Sequence, residues 1–123
     1  MTITRFEDIE SWQMARDLAR RIYSASRMHP FCDDWELRNQ IRRAIGSVMH
    51  NIAEGFDSGS DNEFCRFLAY AQRSCTEIKS ELYLALDQAY LTEPEFNELY
   101  TSAQAISDKI GGLIKYLKNK NCA

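Results

Sequence analysis

The sequence predicts an all-α protein: one domain, 1–123, folded as an antiparallel up-down-up-down four-helix bundle. Three observations carry that expectation. Four long segments place apolar residues at steps of three and four, the period of a helix with one buried stripe. The breaks between them hold glycine, proline and capping residues where helices start and stop. The breaks are also short, and short connections make consecutive helices antiparallel neighbours that cross at about 20°.

The first helix is predicted over 6–28. Its stripe is Ile9, Trp12, Ala15, Ala19 and Ile22, widened by Leu18 and Tyr23. His29-Pro30 ends it, because the residue before a proline is driven out of the α region. The second helix is predicted over 34–55, capped by Asp33 or Asp34. Leu37, Ile41, Ala44, Ile45, Val48 and Ile52 form its apolar face, and Gly55 suits a left-handed C-terminal cap. Gly46 lies inside this helix, where glycine costs about 1 kcal/mol against alanine. Close approach of another helix at Gly46 is the expected compensation.

The segment Phe56-Asp-Ser-Gly-Ser60 is the clearest break in the chain. Ser60 and Glu63 then form a capping-box pattern that opens the third helix, predicted over 61–89. Its stripe is Phe64, Leu68, Ala71, Cys75, Ile78, Leu82, Ala85 and Ala89. Thr92 and Glu95 repeat the box, with Pro94 in the first turn, and open the fourth helix over 93–118. Phe96, Leu99, Ala103, Ile106, Ile110, Leu113 and Leu117 face inward, and the polar tail after Lys118 is expected to fray.

Composition excludes some classes of function and leaves others open. A hydrophobic fraction of 45% and a charged fraction of 27% are ordinary for a globular domain. The net charge of −3 argues against a dedicated nucleic-acid domain, which is usually basic. Charge is uneven: Glu77 to Glu98 is acidic, whereas Lys109 to Lys120 carries only lysines. The N-terminus shows no signal-peptide run and no segment is apolar enough to span a membrane, so a cytoplasmic protein without membrane attachment is expected. Cys32, Cys65, Cys75 and Cys122 form no C-x-x-C pair and read as reduced thiols, Cys75 as a small core residue.

No constellation for catalysis, cofactor or metal stands out. Di-iron bundles use Glu-x-x-His, but Ser26 and Ser47 lie three residues before His29 and His50. Phosphate-cradling and dinucleotide fingerprints are missing. Ser47 and His50 share a helix face, the single pairing of nucleophile and base, without a nucleophile elbow. No cofactor, no metal and no enzymatic activity are therefore expected.

Two surface features are candidates for binding. Glu36, Gln40, Arg43, Ser47, His50 and Glu54 line one polar face of the second helix, which reads either as solvated surface or as a seam against another helix or protomer. Gln40, Arg43, Ser47, Asn51 and Glu54 are the seam candidates. Arg43 and Glu54 are too far apart to pair with each other, so each would pair with another element, and Asn51 would hydrogen-bond a neighbouring backbone. Arginines also gather on three helices, and Arg38, Arg42, Arg66 and Arg73 are the candidates for nucleic-acid contact. Aromatic residues beyond the stripes, among them Trp35, Phe67, Tyr70 and Tyr83, exceed what a narrow core needs and suit a self-associating surface.

Four runs carry a resemblance: Phe6-Glu-Asp-Ile-Glu-Ser-Trp12-Gln-Met-Ala15, Gln40-Ile-Arg-Arg-Ala44, Asn51-Ile-Ala-Glu-Gly55 and Glu63-Phe-Cys-Arg-Phe-Leu68. With them the chain resembles the bacterial rRNA intervening-sequence protein family, whose members are four-helix bundles. The resemblance implies a ring-shaped homopentamer. A related branch, the accessory variability protein of diversity-generating retroelements, binds a reverse transcriptase and RNA; that branch is basic, whereas this chain is acidic. Met49-His50 stands where the family often shows Pro-Ala. The expected function is a non-enzymatic homo-oligomeric scaffold for a protein or nucleoprotein partner. Direct RNA binding through symmetry-related arginines is the alternative, and a Ser47/His50 hydrolase ranks last.

Overall fold

The computed structural model describes residues 3–121, which hold four helices in antiparallel up-down-up-down order and no strand among them. They are α1 (Glu10–Ser26), α2 (Trp35–Phe56), α3 (Asp61–Asp87) and α4 (Glu93–Asn121). Each packs on its sequence neighbours, and α4 closes the square against α1. Polar ties across the grooves show the antiparallel register. Gln72 Nε2 donates to the Ser107 carbonyl at 3.0 Å, and Lys79 Nζ donates to Gln104 Oε1 at 2.7 Å. On the opposite side Lys109 pairs with Glu10 at 3.0 Å and Arg21 donates to Ser102. The predicted stripes form the core: Leu18, Ile45, Val48, Ile52, Leu68, Ile78 and Ile110 are fully buried, as is Cys75, and burial pushes the Cys75 thiol up to about 12.

Helix starts follow the predicted caps. Asp34 Oδ1 accepts from the Leu37 amide at 3.1 Å. Thr92 and Glu95 form the full box, with Thr92 N donating to Glu95 Oε1 at 2.8 Å and Glu95 N to Thr92 Oγ1 at 3.3 Å. The Ser60 box is half made. Ser60 Oγ accepts from the Glu63 amide at 3.1 Å, but the Glu63 carboxylate turns outward to Arg66 at 2.6 Å, which lowers its pKa.

Helix ends depart from expectation in five places. The predicted first helix is split: Phe6–Asp8 is a 3₁₀ turn and α1 begins only at Glu10, because Ile9 is extended (φ −74°, ψ 122°) and plugs into the core. Phe6 lies edge-on to Trp12 at 5.1 Å and Gln13 Nε2 donates to the Glu7 carbonyl at 2.8 Å, which fixes this entry. At its other end α1 stops at Ser26, and Tyr23 is exposed rather than part of the stripe. Gly55 is not the left-handed cap of α2. It is helical, α2 runs on to Phe56, and Asp57 caps it at φ −82°. Helix α3 stops at Asp87, not at residue 89. Ala89 takes φ 61° and is exposed, with Tyr90 N donating to the Ala85 carbonyl and Ala89 N to the Leu86 carbonyl, each at 2.9 Å, the paired bonds of a Schellman turn. Helix α4, finally, continues past Lys118 to Asn121, and Lys120 pairs with Asp61 at 3.5 Å. The Cys122 thiol lies outside the described residues.

The two glycines of α2 do not take the roles expected of them. A Cβ at Gly55 would lie 2.7 Å from Phe67 Cβ and 3.0 Å from Phe64 Cδ1, so α2 and α3 approach too closely there for a side chain. A Cβ at Gly46 would meet only His50 Nε2, at 3.8 Å.

Candidate functional site

Close approach at Gly55 sets the register of α2 against α3, and two turns along it brings Ser47 opposite Ser74. Ser74 Oγ donates to Ser47 Oγ at 3.0 Å. Asn51 Nδ2 donates to the Ser47 carbonyl at 2.8 Å and to Ser47 Oγ at 3.0 Å, so Asn51 bonds its own helix rather than a neighbouring one. Ser74 is buried, at 6% exposure, and its polar pair bridges the two helices at the rim of the core.

Beyond this bridge the helices enclose an open groove of about 500 Å³, lined by Gln40, Arg43, Ala44 and Ser47 on α2 and Ser74, Glu77 and Glu81 on α3. Three of the five predicted seam residues therefore line one groove, Asn51 braces its floor, and Glu54 is an exposed residue outside the lining. Glu81 stands out among its walls. Its Oε1 is buried and has no hydrogen-bond partner. Burial raises its pKa to about 7, with repulsion from Glu77 one turn away adding to the effect. Arg43 lies in the same groove, yet neither it nor Glu54 forms an ion pair among the described residues. Sequence reading missed Ser74, Glu77 and Glu81. Their signal was a polar row at steps of three and four, 74, 77 and 81, beside the α3 stripe.

The structure divides the arginine candidates. Arg42 is turned inward: its Nε donates to the buried Ser26 Oγ at 2.8 Å and its guanidinium lies 4.5 Å from the centre of the Tyr23 ring, tying α2 to the end of α1. Arg38 Nη1 donates to the Cys32 carbonyl at 3.1 Å. Arg66 is paired with Glu63 but also donates to Tyr70 Oη at 3.3 Å. Arg73 makes no ion pair among the described residues, and its guanidinium lies 5.4 Å from the Tyr70 ring centre. Arg66, Tyr70 and Arg73 thus form one ridge on α3, separate from Arg38 and Arg42.

Ser47 and His50 are not joined. The Ser47 hydroxyl accepts from Ser74 and Asn51, while the exposed His50 imidazole lies over Gly46. Several apolar side chains are presented to solvent, Trp35 at 66%, Tyr83 at 51% and Leu84 at 50%, whereas Phe31 is buried against Tyr90. No helix among the described residues is long and apolar enough to cross a membrane.

An antiparallel bundle with a core of aliphatic residues, and with polar groups gathered in a surface groove, defines the class: a four-helix-bundle protein. The sequence model of the 23S rRNA-intervening sequence protein family matches residues 7–112, and the chain belongs to that family. Comparison with curated proteins gives no match.

Proposed function

We propose that the protein is a non-enzymatic, cytoplasmic, homo-oligomeric scaffold, a pentameric ring, whose α2/α3 face receives a second subunit and leaves the rest of the surface for a protein or nucleoprotein partner. One observation carries this reading: within a single bundle the α2/α3 groove holds a carboxylate oxygen, Glu81 Oε1, that is buried and unpartnered beside an arginine without an ion pair. A buried polar atom left unsatisfied costs about 1–3 kcal/mol, so a donor supplied from outside is favoured at that place. The exposed Leu84, one turn beyond Glu81 on the same helix, supplies apolar area for the same contact. Light scattering behind size-exclusion chromatography tests the reading. Wild type is expected as an oligomer at micromolar concentration, and Arg43→Glu, which adds a third acid to the groove, is expected to shift it towards monomer. A monomeric wild type overturns it.

Direct RNA binding is the second reading, favoured by the Arg66–Tyr70–Arg73 ridge, where guanidinium groups flank an aromatic ring that a base can stack on. Ring symmetry would repeat the ridge around an otherwise acidic subunit. Binding to a structured RNA is expected to weaken steeply with salt, and no binding at low salt rejects it.

A further inference from the structure

We propose that His29, Cys32 and Asp33 form a binding site for a zinc ion at the turn between α1 and α2. The three side chains bring one nitrogen, one sulfur and one carboxylate oxygen within 4.8 Å of one another. His29 Nδ1 lies 2.6 Å from Asp33 Oδ2, and Cys32 Sγ lies 3.7 Å from Asp33 Oδ1. Imidazole and thiol therefore address the two oxygens of one carboxylate, and the hydrogens they share with it are what a cation replaces. The spacing is His-x-x-Cys-Asp on a 3₁₀ turn, a pattern that a search for Glu-x-x-His passes over.

His29 and Asp33 are exposed and Cys32 is half-buried, and the backbone beneath them is fixed. Phe31, between His29 and Cys32, is buried at 2% exposure and stacks on Tyr90 at 5.2 Å. Tyr90 Oη donates to Asp34 Oδ2 at 2.9 Å, while the other Asp34 oxygen caps α2. Arg38 Nη1 holds the Cys32 carbonyl at 3.1 Å. The turn is thus bolted to the segment after α3 and to α2, which holds the three donor-bearing residues together.

Donor chemistry selects the ion. A thiolate and a carboxylate with a neutral imidazole carry two negative charges, matching a divalent cation. A mixed N, S and O set suits zinc and disfavours calcium and magnesium, which require oxygen ligands. Three protein ligands leave a fourth tetrahedral position on the solvent side, open to water or to a donor from another molecule. The positive N-terminus of α2 and Arg38 oppose the cation, and the Asp34 carboxylate offsets part of that opposition.

Cobalt(II) is the spectroscopic probe. Chelator-stripped, reduced full-length protein is titrated with Co²⁺ and read for thiolate-to-cobalt charge-transfer absorption. The band is expected to saturate at one equivalent per chain and to bleach when Zn²⁺ is added. Cys32→Ser abolishes it, and His29→Ala and Asp33→Asn each weaken Co²⁺ affinity by about tenfold or more. Cys65→Ser and Cys122→Ser leave it unchanged. None of the three donors belongs to the core, so circular dichroism of the variants is expected to match wild type. Absence of the band in excess Co²⁺, its survival in Cys32→Ser, unchanged affinity in His29→Ala, or equal loss in Cys65→Ser overturns the proposal.

Discussion

The contrast between Gly46 and Gly55 makes a paired test of how α2 and α3 are held together. At position 55 an added methyl meets Phe67 Cβ at 2.7 Å, so one element retreats by about 0.7 Å to reach the 3.4 Å of an ordinary contact. Phe67 Cβ is fixed to the α3 backbone, and Phe64, the other neighbour, is buried and edge-on to Phe56 at 6.0 Å. Neither can swing away, and overpacking of this kind costs about 1–3 kcal/mol. Alanine regains about 1 kcal/mol of helix propensity, so Gly55→Ala is expected to destabilise by about 2 kcal/mol, towards the upper end because the clash is with an anchored atom. At position 46 the methyl meets a flexible imidazole tip at 3.8 Å, so only the propensity gain of about 1 kcal/mol remains. For a chain of this size 1 kcal/mol moves Tm by about 4 °C. Thermal unfolding followed by circular dichroism, at one protein concentration and pH, is expected to show Gly55→Ala about 8 °C below wild type and Gly46→Ala about 4 °C above it. Equal shifts of the same sign, or a larger loss at 46 than at 55, refute the register and return the closest helix approach to Gly46.

Ala89, left-handed at φ 61°, carries a strain of about 1–2 kcal/mol that glycine relieves. Net of the extra freedom of the unfolded chain, Ala89→Gly is expected to raise stability by about 0.5–1 kcal/mol in urea unfolding, and a loss refutes the assignment of the turn. Glu81 has a folded pKa of about 7 against an ordinary 4.5, so the native state holds its proton more tightly and stability falls as pH rises between those values. The full difference corresponds to about 3.4 kcal/mol, which the open groove screens to the order of 1–2 kcal/mol. At a dilution where light scattering reports monomer, Glu81→Gln is therefore expected to stabilise by that amount at pH 8 and by nothing at pH 4, and an equal gain at both pH values rules out the burial argument. Arg42→Ala removes the donor to the buried Ser26 Oγ, which keeps only its own 3.4 Å bond to the Tyr23 carbonyl, and is expected to cost about 1–3 kcal/mol in the same unfolding assay. Arg73→Ala is expected to change stability by less than about 0.5 kcal/mol and, where RNA binds, to reduce the salt slope by about 1.

What was legible in the sequence was local. The stripes of α2 and, as far as Ala85, of α3 and the caps at Asp34, Ser60 and Thr92 follow from spacing and from which side chain can reach a free amide, and they stand where the sequence puts them. Gly55 shows where local reading ran out. It continues the steps of four and three from Val48 through Ile52, which marks it as a buried packing residue, but glycine near a helix end suits a cap equally well. The end of α3 was set from a distance. Tyr90 is drawn onto Phe31 and onto Asp34, so the helix ends two residues earlier and an alanine is forced into a conformation its own preference opposes. The turn donors of His29, Cys32 and Asp33 were invisible for the opposite reason: their grouping depends on a 3₁₀ turn pinned by that same stack.

The arginines show why the binding site was harder to read than the fold. Periodicity assigns a residue to a face but is silent on whether its charge is already used. Arg42 and Arg43 are sequence neighbours and both polar, yet one is spent on a buried hydroxyl and an aromatic ring of α1, whereas the other opens into the α2/α3 groove without an ion pair. Arg38 and Arg66 are likewise engaged by a backbone carbonyl and by Glu63. Of four arginines that looked equally available to phosphate, only Arg73 remains without an ion pair or hydrogen bond among the described residues. On a chain with net charge −3, one such guanidinium does not make an electrostatic footprint, and several copies brought together would. Any RNA binding by this chain therefore presupposes assembly, which puts the light-scattering measurement ahead of the RNA titration.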